Sequence, residues 1–437
     1  MFESVKNAFK VKEIRKRIFF TLVMLVIIRF GSQLPVPGVD RTYFSKWFSQ
    51  HTSDAFSLVD AFTGGSFLNM SVLALNITPY ITSSIIIQLL TIAIPKLEEM
   101  QKEGEEGRKK LASLTRYVTV ALAIFESGAM AIGFGRQGLL EEYNAVNVIM
   151  VMATLTAGSA FLMWIGEQIT DKGVGNGISI VLTINIISRM PQDISGLFTQ
   201  FVSGKSIAMA IVAAAIIIAI IVGIVILVIL LNDAERRIPV QYARMLRGRS
   251  QYGSATSSIP LKVNTAGVMP IIFASSILEF PVIISTLAGY NGTGIWSEIL
   301  HYLSSSYWCN PAMPRYTLGL VAYVAMLIFF AYFYTSITFN PIEVADNLKK
   351  GGGFIPGIRP GKPTSDYLNT MLNYIILIGA VGLTIVGVLP FFFRGVFNAS
   401  VDFGGTSLII VVSVILETIK QIESMMVQRN YTTFLSN

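Results

Sequence analysis

The chain has 437 residues, 53% of them hydrophobic and only 14% charged, with a formal net charge of +7. That balance excludes an ordinary water-soluble domain and places the chain among multi-spanning membrane proteins. A single cysteine, Cys309, excludes an internal disulfide and a cysteine-rich metal site, and the two histidines, His51 and His301, fall in predicted loops.

A helix crosses the hydrocarbon core with about 20 mostly apolar residues. Ten such runs are predicted, at roughly 18–34, 71–94, 112–133, 146–168, 176–190, 206–231, 264–288, 316–338, 368–390 and 405–427. The tail before them is basic (Lys6, Lys10, Lys12, Arg15, Lys16, Arg17). The first run ends at Leu34-Pro35-Val36-Pro37 without a small-residue cleavage site, so it is expected to be retained as a span. Counting Arg189 with the outer segment and Lys420 with the C-terminal one that each adjoins, 24 of the 33 Lys and Arg fall on the side of the N-terminus and 7 on the other, while Arg29 and Arg116 are counted inside spans. The positive-inside rule then puts both termini in the cytoplasm and explains the net charge without nucleic acid.

The second span contains NITPYITSSIIIQ, from Asn76 to Gln88, whose proline, hydroxyls and amide a lipid-facing helix does not need. Ile77, Ile81 and Ile85 recur at i, i+4 and i+8 and share one helical face. Before it, AFSLVDAFTGGSFLNM (55–70) is too short and glycine-broken to cross. It is expected either to fold back from the outer face, where protein or water must surround it, or to lie as a surface helix. Residues 96–110 read as a solvated cytoplasmic connection of mixed sign, and 233–262 as a longer basic loop with Arg236, Arg237, Arg244, Arg247 and Arg249. The run KKGGGFIPGIRPGK (349–362) combines three glycines with two prolines. It is expected to be an exposed docking element with Phe354 and Ile355 at its apex.

The halves echo each other. Pro79-Tyr-Ile-Thr-Ser-Ser-Ile in the second span is matched by Pro270-Ile-Ile-Phe-Ala-Ser-Ser-Ile in the seventh, and GNGISIV from Gly175 by GGTSLII from Gly404. Five is odd, so the second half runs inverted, and inverted repeats place a path at their interface. The expected organisation is a basic tail (1–17), a first half (18–190), an external hinge loop (191–205), a second half (206–427) and a C-terminal tail (428–437).

The spans are nearly bare of the carboxylates, cations and histidines that ion-coupled transport uses. Glu126 lies in the third span, Glu279 in the seventh and Glu417 near the cytoplasmic end of the tenth, and Arg29 could snorkel. No phosphate-binding loop, metal-spaced cluster or nucleophile–base pair is present, so no catalytic, metal or cofactor site is expected. Large aliphatics on the second, fifth, seventh and tenth spans are left to line a passage. Such a constriction offers ions no substitute for hydration and yields around a thick, varied substrate. That suits unfolded polypeptide; the competing class is a secondary transporter of a small solute, which needs a polar midplane site.

PYITSSIIIQLL (79–90), FLMWIGEQIT (161–170), GNGIS (175–179), KVNTAGVMPIIFASSI (262–277), FNPIEVADNLKKGGGFIPGIRPG (339–361) and FGGTSLIIVV (403–412) together resemble the SecY family of protein-conducting channels over nearly the full chain. The resemblance implies an all-α membrane protein of ten helices, in two inverted five-helix halves that form a clamshell around an hourglass pore. It implies a pore ring of Ile77, Ile81, Ile178, Leu182, Ile272 and Ile410, with Leu182 where the family would have isoleucine. A plug around 55–68 would include Ala61, Phe62, Thr63, Gly64 and Gly65. A lateral gate between the second and seventh helices would carry Ser83, Ser84, Ile85, Ser275, Ser276, Glu279 and Phe280, with Glu279 a departure from an expected apolar residue. Arg359, with Phe354, Ile355, Arg236, Arg237, Arg244 and Arg247, would dock the cytoplasmic motor or ribosome. Implied partners are the small membrane subunits SecE and SecG, the SecA ATPase, the ribosome, unfolded precursors with their signal sequences, and lipid; no nucleotide would bind this chain.

Overall fold

The computed structural model describes residues 9–44, 46, 60, 63–202, 207–242, 257–287, 294–397 and 405–435. Ten helices coincide with the ten predicted spans: α1 (Lys12–Gly31), α2 (Thr78–Ala93), α4 (Glu105–Arg136), α5 (Ala145–Lys172), α6 (Gly177–Phe201), α7 (Ile207–Asp233), α8 (Met269–Leu287), α10 (Leu318–Thr338), α12 (Lys362–Phe397) and α13 (Gly405–Leu435). Between them lie three short helices, α3 (Pro95–Lys102), α9 (Ile295–Leu303) and α11 (Pro341–Lys350), and three strands, β1 (Glu235–Tyr242), β2 (Ser257–Lys262) and β3 (Gly353–Phe354). Among the described residues, five helices are long and apolar enough to cross a membrane on their own, or six if the bent α2–α3 pair is one span.

Local chemistry sets the ends. Pro79 sits in the first turn of α2, where a missing N–H costs nothing. At the other end Ile94 is extended before Pro95, and the chain turns by 106° into α3. Asn176 caps α6 by accepting the N–H groups of Ile178 and Ser179, and Asn340 caps α11 in the same way through Ile342 and Glu343.

Several boundaries differ from expectation: α1, α4 and α12 begin six or seven residues early, and α12 also ends seven residues late. The second span is helical only from Thr78, because turns occupy 64–77. Helix α6 continues through Pro191 to Phe201, so the expected hinge loop at 191–205 is helical over most of its length. The C-terminal tail from 428 prolongs α13 to Leu435.

The two halves pack to one plan. In the first, α1 lies on α5, α2 on α4, α4 on α5 and α5 on α6; in the second, α7 lies on α12, α8 on α10, α10 on α12 and α12 on α13. The halves meet where α6 packs on α13 and α7, and where α4 packs on α8. The sheet was not expected. β1 pairs antiparallel with β2, placing Ile238 opposite Ile259, and with β3, placing Tyr242 opposite Gly353. Alternation along β1 turns Ile238 and Val240 onto a small core with Leu261, Leu348, Leu368 and Ile375.

Candidate functional site

The six predicted ring positions come together in one apolar cluster, although they arrive from four helices and both halves. Ile77, Leu182 and Ile410 are buried within that cluster; Ile81, Ile178 and Ile272 are half-buried at its edge. The inverted repeat is visible in their positions. Ile81 is the fourth residue of α2 and Ile272 the fourth of α8, while Leu182 is the sixth of α6 and Ile410 the sixth of α13. Close backbone approach fixes the α6 pair: a Cβ on Gly177 would lie 1.8 Å from the Gly166 carbonyl oxygen on α5. Only glycine permits that contact, and it seats Ile178 directly over Gly166.

The fold-back segment touches α6 beyond the ring, at Asn185 and Ser188, while its Phe67 and Leu68 pack into a second apolar cluster with Phe44 and Phe134. Ala61 and Phe62 fall outside the described residues; Asp60 and 63–68 do not. Thr63 is buried, and Gly64 and Gly65 have φ of +66° and +83°, a region open to glycine. A Cβ on Gly64 would lie 2.6 Å from the Asn185 carbonyl oxygen of α6, so the segment is held flush against that helix. Asn185 in turn donates to Asn76 Oδ1 at 3.0 Å, which ties α6 to the base of α2.

The predicted gate residues divide. Ser83 is fully buried, and its hydroxyl donates to the Thr115 carbonyl of α4 at 2.8 Å, so it belongs to packing inside the first half. Ile85 is buried too, and Ser84 is half-buried and accepts from Gln88 Nε2 at 3.4 Å. On α8, Ser275 donates to Ile271 O at 2.9 Å, Ser276 is half-buried and Phe280 is exposed. Ser275 and Glu279 lie beside the buried Tyr323 of α10, which places the unexpected carboxylate on the α10 side of its helix. Helix α8 meets the first half more along α4 than along α2.

The docking residues also divide. Arg359 is exposed, and its main-chain oxygen accepts from Thr364 Oγ1 at 2.8 Å. Arg236 and Arg237 are exposed on β1, Arg237 pairing with Glu235 at 2.7 Å, and Arg244 and Arg247 fall outside the described residues. Phe354 is 38% exposed, but Ile355 is 3% exposed and is no apex residue. It is buried with Ile238, Val240 and Leu348, fastening the 349–362 loop to the sheet. An aliphatic side chain beside an apolar sheet face gains more from that burial than from water.

The family model for SecY matches residues 71–419. The protein translocase subunits SecY of Corynebacterium glutamicum and Bacillus subtilis are each 42% identical to the chain, the first over 99% of both chains and the second over all of both. The chain belongs to the SecY family. Solved structures with the same fold include a protein-conducting channel (TM-score 0.63, 18% identity, 94% of this chain and 93% of that one) and Sec61 in the canine ribosome–channel complex from the endoplasmic reticulum (TM-score 0.60, 17% identity, 94% and 93%). A third is a SecY protein whose plug domain stabilises the closed state and maintains a membrane seal (TM-score 0.61, 19% identity, 94% and 93%). In this SecY-family chain, reading from the sequence missed the polar residues around the fold-back segment: Asp60, Asn76, Asn185, Arg189 and Asp193. The last two carried a signal, an oppositely charged i, i+4 pair at the end of a span in a chain whose spans are almost uncharged.

Proposed function

We propose that this chain is the protein-conducting subunit of a translocase, a passive channel that passes unfolded polypeptide across the cytoplasmic membrane and releases apolar segments sideways into lipid. One observation carries the reading: six large aliphatics from α2, α6, α8, α13 and the turn before α2 share a single apolar cluster across both halves. Peptide backbone cannot cross bare hydrocarbon, because each unsatisfied polar group costs several kcal/mol. A thin aliphatic waist between watery funnels reduces that barrier, excludes ions that find no ligands there, and closes around chains of any sequence. Side exit sorts segments by partition, each apolar residue gaining about 0.3–0.6 kcal/mol at a helix centre and each charge costing about 2.5–3.5.

In this reading the waist is Ile77, Ile81, Ile178, Leu182, Ile272 and Ile410, and the fold-back segment is the resting plug. Lateral exit runs along the seam where α8 faces α4 and α2. Both termini lie in the cytoplasm, and the sheet with Arg236, Arg237, Phe354 and Arg359 faces the driving partner. The channel performs no catalysis of its own; an external SecA-type ATPase or the ribosome supplies direction, and SecE- and SecG-type subunits complete the assembly. Support for a ribosomal partner comes from the ribosome-bound Sec61 neighbour, and the relatives give no support to a small-solute transporter.

A photocrosslinking residue at Ile81, in membranes holding a stalled, half-exported secretory precursor, tests the reading. A crosslink that depends on the stalled chain is expected. Its absence from an intact, inserted protein would return the aliphatic cluster to ordinary packing. Arg359→Glu is expected to block export at normal folded levels, measured as precursor accumulation; normal export would remove Arg359 from docking.

A further inference from the structure

Helix α9 joins the C-terminal side of α8 to the start of α10, so it stands at the membrane face opposite the sheet, which leads into the other end of α8. Its sequence, IWSEILHYL, sets Ile295, Trp296, Ile299, Leu300 and Leu303 on one arc and Ser297, Glu298 and His301 on the other. The apolar arc is divided. Leu303 packs against the main core, whereas Ile295 is 83% exposed, with Trp296 and Ile299 exposed beside it. The helix is nevertheless fastened at both ends. Trp296 Nε1 donates to Ser285 Oγ of α8 at 3.1 Å. At the other end, a Cβ on Gly319, the second residue of α10, would lie 1.8 Å from the Tyr302 carbonyl oxygen. That contact sets the end of α9 level with the first turn of α10, where Leu318 and Val321 are exposed. Charge is balanced locally. Glu298 and Arg315 are the sole Asp, Glu, Lys or Arg between 294 and 318, and they pair at 3.3 Å.

We propose that α9 is an interfacial anchor, with Ile295, Trp296 and Ile299 inserted at the boundary between phospholipid headgroups and acyl chains. Three observations select lipid as the occupant. The exposed face stands level with the start of a span whose own exposed residues, Leu318 and Val321, meet hydrocarbon. The Trp296 N–H is already satisfied by α8, so its ring enters the interface without an unpaired donor, at the depth where tryptophan is favoured. The patch is also small: three side chains on one short helix fall far below the roughly 20–30 residues a side of a stable protein interface. Lipid needs no matching shape. Because the paired Glu298 and Arg315 leave no net charge, apolar burial drives the insertion, and attraction to anionic headgroups adds nothing. Through Ser285 the anchor holds the adjoining end of α8 at the membrane surface.

The test places a nitroxide on Ile295→Cys or Ile299→Cys, with Cys309→Ser, in the complete translocase. It is reconstituted in phosphatidylcholine vesicles with and without phosphatidylglycerol. Relaxation of the label by oxygen and by a water-soluble nickel chelate reports depth. Glu141→Cys, exposed in the loop joining α4 to α5 at the same face, is the aqueous reference, and Val321→Cys on α10 the hydrocarbon one. Both α9 labels are expected between the references, about 5–10 Å into the boundary, at the same depth in both kinds of vesicle. Labels that match the Glu141 reference would leave α9 in water and overturn the anchor. Labels shielded from both relaxants would put protein on this face, a second copy or another subunit, and overturn it as well. Insertion that appears only with phosphatidylglycerol would replace apolar burial by headgroup attraction, against the proposal.

Discussion

Gly158 of α5 and Gly379 of α12 hold equivalent places in the two halves. A Cβ on Gly158 would lie 1.9 Å from the Val72 carbonyl oxygen, and one on Gly379 would lie 2.2 Å from that of Val263. In each half, then, the fourth long helix is notched to admit the chain leading into the second, and the second helix inherits its position from that notch. Beyond it the halves part. Helix α2 is tied down by directional bonds, Ser83 to Thr115 of α4 and Asn76 to Asn185 of α6. Helix α8 donates the Ser275 hydroxyl to its own Ile271 beside Tyr323 of α10, accepts Trp296 Nε1 of α9 at Ser285 Oγ (3.1 Å), exposes Phe280 and contains Pro281. Repetition has conserved the backbone contact and left the polar ties to differ. Pro281 removes a backbone hydrogen bond from the interior of α8, so the seam is expected to open by movement of α8 against the α2–α4 wall.

The largest effects should fall on the shared notch. Gly158→Ala and Gly379→Ala are each expected to cost about 3 kcal/mol or more, since a backbone oxygen cannot rotate out of the way as a side chain can. Thermal unfolding in detergent measures this, and a large loss in only one half would break the equivalence. Next come the matched waist positions. Ile81→Gly and Ile272→Gly should each make the resting channel leak ions, by similar amounts if the halves contribute alike; a tight Ile272→Gly channel would assign the seal to the first half. The smallest effect separates the two serines. Ser83→Ala should cost about 1 kcal/mol by removing the inter-helix donor to the Thr115 carbonyl, which keeps only Thr119 Oγ1 of its own helix as a side-chain donor, whereas Ser275→Ala should stay within about 0.5 kcal/mol. Equal losses would erase the contrast between fixed and movable helices.

Phe354 and Ile355 show how neighbouring residues escape a reading by composition. Glycines and prolines around them make a loop, and a loop with two apolar residues suggests exposure of both. Strand pairing of Gly353 with Tyr242 fixes the alternation instead, so successive side chains take opposite faces and only Phe354 faces outward. Gly353 itself is required there, because a Cβ would meet the Tyr242 ring at 2.8 Å.

Apolar run length, the side preference of Lys and Arg, and the Pro and Asn signals at helix starts were all legible in the sequence. Each is local: a bilayer demands about 20 apolar residues in a row, and a cap acts within three residues. The ring positions came from the family resemblance rather than from periodicity; the structure adds that Ile81 and Ile272 are each the fourth residue of their helices, and Leu182 and Ile410 each the sixth. Tertiary structure alone decided the sheet, the inward turn of Ile355, the direction of Ser83 and the pairing of Asp60 with Arg189. Asp60 and Arg189 stand far apart in the chain, as do Tyr242 and Gly353, and no periodicity in either segment encodes the other's approach. Those contacts exist because buried charges and unpaired strand edges must find partners once the helices have packed.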